Sequence, residues 1–141
     1  MSDSSPTTPE RAPRALPKVQ LEVQVRFSDT DAMGHISSGS YAAFAEVGRA
    51  RFFEAIGEPR ESIPWFVLGR LELDFLSEAR FGQTITLDTR CVKLGQKSMT
   101  LEQLVHADGK LACRVGVVMI GFDPKARTSV PIPSHWRPSE D

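Results

Sequence analysis

The chain has 141 residues, of which 40% are apolar and 25% charged. That suits one globular domain and argues against wholesale disorder. Lys and Arg number 17 against 18 Asp and Glu, a net charge of -1, so there is no basic excess for a nucleic-acid surface and no polybasic membrane anchor.

Residues 1–17 carry Pro6, Pro9, Pro13 and Pro17 among many Ser and Thr. They read as a disordered tail, because so few apolar groups cannot offset the entropy of ordering. They hold no signal-peptide core, and nowhere does an apolar run reach the ~18–20 residues that span a bilayer. A cytoplasmic protein with no membrane span is expected. Cys91 and Cys113 lack C-x-x-C spacing and read as buried, reduced thiols.

The folded domain is expected over residues 18–123. Leu21, Val23, Val25 and Phe27 alternate with Glu22, Gln24 and Arg26, a half-buried strand. A polar, turn-rich loop follows from Ser28 to Gly39. From Ser40 to Ile56 the period changes to helical, with Tyr41, Phe44, Gly48, Phe52 and Ile56 on one face. Its many Ala residues and Gly48 make the helix slim. Gly48 costs about 1 kcal/mol against Ala, which close approach to another element would offset. Gly57 and Pro59 stop the helix.

Three alternating stretches come next, around Leu71–Phe75, Ile85–Cys91 and Met99–Val105, with a turn at Leu94–Lys97. A tight hairpin at Asp108-Gly109 leads into a long apolar strand, Leu111–Phe122. Residues 124–141, with four more prolines, read as an irregular arm that Trp136 pins to the body. Short turns imply antiparallel neighbours. The architecture is therefore α+β, one helix on one face of a curved antiparallel sheet of five or six strands. One helix cannot cover the apolar surface of Val117–Ile120 as well, so a subunit partner is expected.

The chemistry-bearing residues gather in the loop before the helix. Asp29, Asp31 and His35 lie there with hydroxyls and glycines, next to the unpaired N–H groups and positive dipole of the helix start. Such a place can stabilise an oxyanion beside a carboxylate nucleophile or base, which suits acyl transfer. Each residue also has a plainer role. Asp29 and Asp31 are good turn formers, His35 can orient the loop, Ser38 or Ser40 can cap the helix, and Glu46 can pair with Arg49 on the surface. Asp29, Asp31 and His35 make a poor metal set, and no metal or cofactor is expected.

The run Val25-Arg26-Phe27-Ser28-Asp29-Thr30-Asp31-Ala32-Met33-Gly34-His35-Ile36, followed by Tyr41 and a helix ending near Gly57, resembles the opening of hot-dog-fold acyl-CoA thioesterases of the 4-hydroxybenzoyl-CoA thioesterase type. The resemblance extends through Leu71–Phe75 and Gly82–Ile85 to the Asp108-Gly109 hairpin. It implies a hot-dog fold, with the sheet wrapped around one central helix. It also implies a homodimer or dimer of dimers with sites at the interface, and an acyl-CoA as substrate. The matching catalytic carboxylate is Asp31. N–H groups around Ser38 and Gly39 would polarise the thioester carbonyl, with His35 and Tyr41 near the substrate. Where relatives often carry His or Asn after the Gly-His pair, this chain has Ser37-Ser38-Gly39-Ser40. Some relatives use a carboxylate within the helix, for which Glu46 is the candidate.

Lys93 and Lys97, flanking the Gly95 turn, are candidates for the CoA phosphates or are plain solvated turn residues. Phe44, Phe52, Phe53, Trp65 and Phe66 either favour an apolar or aromatic acyl group or build the core. Two other functions fit the same fold. Hydratases and dehydratases acting on enoyl thioesters commonly place four residues between Asp and His. Here Asp31 and His35 have three between them and Asp29 and His35 have five. The other is a non-catalytic acyl-thioester binder, against which the presence of Asp31 argues.

Overall fold

The computed structural model describes residues 11–141. Its centre is one helix, α1 (Ser38–Ile56), lying across an antiparallel sheet. The strands are β1 (Arg14–Ala15), β2 (Val19–Val23), β3 (Trp65–Phe75), β4 (Ile85–Leu94), β5 (Ser98–Ala107), β6 (Lys110–Asp123), β7 (Thr128–Ser129) and β8 (Trp136–Arg137). The main sheet runs in the order β2-β4-β5-β6-β3, with β7 on β6. The hot-dog arrangement is the one expected.

Helix and sheet meet where the sequence is smallest. Tyr41, Phe44, Ala45, Gly48, Phe52 and Ile56 are all buried on one face of α1. A Cβ added at Gly48 would run into Leu87 Cδ2 and stand 2.8 Å from Gln103 Nε2 and 2.9 Å from Thr89 Oγ1. Gly57, at φ 73°, turns the chain off the helix in the left-handed conformation that glycine adopts freely. On the sheet, Leu87, Thr89, Cys91, Leu101, Gln103, Val105, Cys113, Val115 and Val117 face the helix and are buried. Both thiols are in this layer, and burial pushes each up to about 11. The Asp108-Gly109 turn has positive φ at both residues, 47° and 83°, as a two-residue hairpin requires.

The first strand ends earlier than its alternation suggests. Pairing with β4 stops at Val23, and Phe27 is 79% exposed. The reason is local. Phe27–Asp29 forms a 3-10 turn in which the Asp29 carboxylate accepts the Arg26 backbone N–H at 2.8 Å. Side-chain capture of this kind competes with the ladder. The exposed apolar surface also differs from expectation. Val117 and Met119 are buried, whereas Trp65, Val67, Leu68 and Phe75 are exposed on β3. That strand pairs only with β6 and forms one edge of the sheet.

The boundary placed at residue 18 moves. β1 pairs in parallel with β8, and Leu16 is only 2% exposed within the core. Between them Glu58 acts as a clasp, its side chain buried to 5% exposure. Arg11 and Arg14 donate to it at 2.9 and 3.2 Å, the Trp136 indole at 2.9 Å, and His135 Nε2 lies 2.9 Å away. Burial alone would push the Glu58 carboxyl up. The bonds from His135 and Trp136 and the nearby Arg14 charge outweigh it and hold the group below its usual range. Residues 11–17 are thus part of the body, and the rest of the expected tail lies outside the described residues. The arm after Asp123 carries β7 and β8, and Trp136 is buried as expected.

Two outcomes follow from this packing. A chain beginning at Lys18 loses Leu16 and two of the Glu58 donors, so it should melt several degrees lower, since a lost core leucine alone costs about 2–5 kcal/mol. Calorimetry on the full and shortened chains measures this. Gly48→Ala should lower the urea midpoint despite its better helix propensity, because overpacking costs about 1–3 kcal/mol against a propensity gain of about 1 kcal/mol.

Candidate active site

Asp29 fixes where the loop and helix begin. Its carboxylate takes the Arg26 N–H on one oxygen and, on the other, the Ser40 hydroxyl at 3.4 Å and the Arg26 guanidinium at 3.3 Å. Its carbonyl accepts the Ser37 N–H at 2.9 Å. The Arg26 backbone bond leads the causes that hold the Asp29 carboxyl below its usual range, against the opposing effect of burial. Asp29 is therefore a turn former, fully engaged.

Asp31 is placed differently. Its side chain is at the surface. Oδ1 accepts the Met33 N–H at 2.9 Å and the His35 N–H at 3.1 Å, and its backbone closes the loop through Asp31 N–H to His35 O at 2.8 Å and Gly34 N–H to Asp31 O at 3.0 Å. Gly34 has φ 79°. Two N–H bonds on one oxygen orient the carboxylate and leave Oδ2 without a partner among the described residues. The loop is then sewn to the segment after β3, with Ile36 N–H on Ala79 O at 2.8 Å and Phe81 N–H on Gly34 O at 3.2 Å.

These bonds bring Asp31, His35, Ser38 and Tyr41 into one cleft of about 380 Å³ at the end of β3, with Phe75 and Glu78 completing its wall. The Tyr41 ring packs 5.7 Å from that of Phe75. Burial pushes its phenol up, so it remains a neutral hydroxyl. α1 starts beside it. Ser37 precedes the first turn without a side-chain cap. The Ser38 and Gly39 N–H groups have no acceptor among the described residues, and the space beyond the Gly39 Cα is open. Among four sequence candidates for substrate contact, three line the cleft and Gly39 adjoins it.

Glu78 was not among the candidates. Its Oε2 lies 3.3 Å from His35 Nε2 and 3.7 Å from Arg80. That His35 nitrogen is buried and makes no hydrogen bond. A second carboxylate thus stands on the histidine that orients Asp31. Glu78 lies between the two later stretches that carry the resemblance, Leu71–Phe75 and Gly82–Ile85, and no local pattern singles it out.

Other candidates fall elsewhere. Glu46 lies near the middle of α1, in a separate groove. Its expected surface partner Arg49 is buried and donates to Gln103 at 3.2 Å instead. Lys93 and Lys97 are exposed, but Lys93 lies six residues along β4 from the row that joins Phe75, Cys113, Val105 and Leu87, roughly 20 Å. Within one chain they do not reach the cleft. Of the aromatic candidates, Phe44 and Phe52 are core, while Phe53, Trp65 and Phe66 line the Glu46 groove. Among the described residues no three His, Cys, Asp or Glu are grouped to hold a metal. No helix among them is long and apolar enough to cross a membrane.

A thin helix held in a curled antiparallel sheet is the hot-dog fold. The chain belongs to the thioesterase-like superfamily, whose pattern matches residues 25–138. A thioesterase from Thermus thermophilus, solved with coenzyme A and Zn, is 30% identical over 82% of this chain and 86% of its own, with a TM-score of 0.73. A predicted thioesterase from Bacillus stearothermophilus is 24% identical over 84% and 90%, with a TM-score of 0.75. A 4-hydroxybenzoyl-CoA thioesterase in complex with 4-hydroxybenzoyl-CoA shares the fold at 15% identity over 83% and 94%, with a TM-score of 0.74. No curated protein matches by sequence.

Asp29 should show itself in acid. Its carboxyl binds a proton less readily folded than unfolded, where the value is near 3.8. Its contribution is therefore complete above about pH 4 and is lost as pH falls through the lower, folded value. Asp29→Asn should cost about 1–3 kcal/mol at neutral pH. The gap between the urea midpoints of the two proteins should narrow as the pH is lowered below 4.

Proposed function

We propose that the chain hydrolyses an acyl-CoA to the free acid and CoA, with Asp31 as nucleophile or general base. The observation that carries this reading is the pairing of a half-engaged, oriented carboxylate with unpaired N–H groups in one cleft. Asp31 Oδ1 is held by two backbone N–H groups, and Oδ2 is left to work. As base, it takes a proton from water as the oxygen attacks the thioester carbonyl. As nucleophile, it forms an acyl anhydride that water then cleaves. In either route the carbonyl oxygen gains charge beside the Ser38 and Gly39 N–H groups, at the positive end of the helix dipole. Collapse expels CoA as its thiolate, which takes the proton that Asp31 removed from water in the first route and a proton from solvent in the second. The Tyr41 hydroxyl and Ser38 stand where the acyl or pantetheine end must enter.

CoA as the leaving group is supported by the coenzyme A bound to the Thermus relative. A homodimer, or a dimer of dimers, is supported by the exposed apolar edge of β3. In it the Lys93 and Lys97 turn of one subunit serves the phosphates of a substrate held by another. Two free, buried cysteines suit the cytoplasm. The hydratase reading is weaker, because the His35 ring faces Glu78 and His35 contacts Asp31 only through its backbone.

Asp31→Asn should fold normally by circular dichroism and lose about 10²–10⁴-fold in turnover on the best acyl-CoA of a panel, with thiol release as the readout. Glu46→Gln should keep turnover within a few-fold. The reverse pattern, Asp31→Asn active and Glu46→Gln dead, would move the chemistry to the helix carboxylate.

A further inference from the structure

The two ring nitrogens of His35 have different surroundings. Nε2 is sealed from solvent and makes no hydrogen bond. The group it faces is the Glu78 carboxylate, whose Oε2 lies 3.3 Å away. A bare lone pair there would set two acceptors against each other, so Nε2 carries the proton. A small rotation of Glu78, whose side chain is 68% exposed, completes the bond. Nδ1 is then the acceptor of the neutral ring. It has no partner among the described residues and, unlike Nε2, is not sealed. His35 lines the cleft with Asp31, Ser38 and Tyr41, and Nδ1 is the ring atom left to open on it.

The fold sets this pair from two directions. The His35 backbone is bridged to Arg80, and on either side Ile36 N–H bonds Ala79 O and Phe81 N–H bonds Gly34 O. The same bonds carry Glu78 past the ring. Nothing structural accounts for a carboxylate at this place, since its other contact is Arg80 at 3.7 Å. The charged groups set around the ring are thus Glu78 and Arg80 from the segment after β3 and Asp31 from its own loop. Asp31 meets His35 only at backbone atoms, so the ring itself is free for another task.

The nucleophilic route has a step that needs such a group. Once Asp31 has attacked and CoA has left, the Asp31 carboxylate is bound up in the anhydride. It cannot then take a proton from the water of the second step. A neutral imidazole with an open nitrogen can.

We propose that His35 Nδ1 is the general base of that second step and that Glu78 is the positioning residue that fixes its tautomer. The inference rests on the thioesterase reading and deepens it by committing to Asp31 as nucleophile. A water O–H bond breaks and its proton goes to Nδ1 while the water oxygen bonds the acyl carbon. The bond from that carbon to the Asp31 oxygen then breaks, and its electron pair returns to the carboxylate. The acid leaves, and Nδ1 gives its proton to solvent. Between these events the Glu78 carboxylate stabilises the imidazolium, as a carboxylate on the far nitrogen of a catalytic histidine does.

The test is rapid-mixing measurement of thiol release by the full chain on the best acyl-CoA of the panel. His35→Gln should release one CoA per active site in a burst, because attack by Asp31 is intact. Its later turnover should be about 10²–10⁴-fold slower than that of the unaltered chain. Glu78→Ala should lower kcat at least about tenfold with KM little changed. Glu78→Gln, whose amide oxygen still accepts an Nε2 proton, should recover most of that loss. A second arm is independent of turnover. Nitrogen NMR of the chain's three histidines should find the neutral His35 ring protonated at Nε2, and that preference should weaken in Glu78→Ala. A neutral ring protonated at Nδ1 would overturn the proposal whatever the kinetics. So would full activity in Glu78→Ala. A slow His35→Gln without a burst would also overturn it, and would make His35 the base of a single-step hydrolysis. Full turnover in Asp31→Asn would remove the nucleophile on which the proposal rests, and the unchanged tautomer would show that the fault lay there.

Discussion

Everything in this molecule is arranged around the lack of a side chain at Gly48. Leu87, Thr89 and Gln103 of the sheet occupy the space that any other residue would need, so the helix lies nearly on the strands. That depth fixes the helix in all directions. Gln103, fully buried, donates to Ala45 O at 2.8 Å and Thr89 Oγ1 at 2.9 Å and accepts from Arg49. A buried amide satisfied on both ends is a specific lock, because shifting the helix would leave its donors unpaired at a cost of about 1–3 kcal/mol each. With the helix locked, its first turn must emerge beside Phe75 and the segment after β3, and that is where the cleft forms.

The cleft was legible in the sequence because it is local. Asp31, His35, Ser38 and Tyr41 lie within eleven residues of one another, and turn chemistry with a helix start brings them together without help from distant chain. What joins them from afar was not legible. Glu78 reaches His35 only through pairing of Ile36 with Ala79 and Gly34 with Phe81, which no local pattern encodes. The Glu58 clasp is the extreme case. Its partners lie near both chain ends, and a two-residue parallel pair such as β1 with β8 has no periodicity to read. The proline-rich composition of the N-terminal segment therefore pointed to a tail, although Leu16 is in the core.

The β strands show the same division between local and global control. The Asp108-Gly109 hairpin and an apolar run located β6. Alternation located β4 and β5, each of which buries one face against α1, and the second half of β3, where Leu71 and Leu73 are half-buried. It failed after Val23, where Val25 and Phe27 continue the pattern but the Asp29 carboxylate takes the Arg26 N–H that a strand would need. The two aspartates of the loop therefore have opposite fates. Asp29 uses both oxygens on its neighbours, and its low proton affinity reflects that engagement. Asp31 uses one oxygen and keeps the other. Two chemically identical side chains two residues apart are divided into a structural and an available carboxylate by which N–H groups the backbone points at them.

The same logic of unused hydrogen-bonding capacity marks the cleft at the start of the helix. At its start the unused groups are N–H donors of Ser38 and Gly39 and one carboxylate oxygen of Asp31, a combination that tolerates charge appearing on a carbonyl oxygen. The helix–sheet contact produces this combination. Gln103 Oε1 accepts one Arg49 N–H while its Nε2 holds Ala45 and Thr89. The polar lock that positions the site thus also holds a buried positive charge on α1, against the middle of β5.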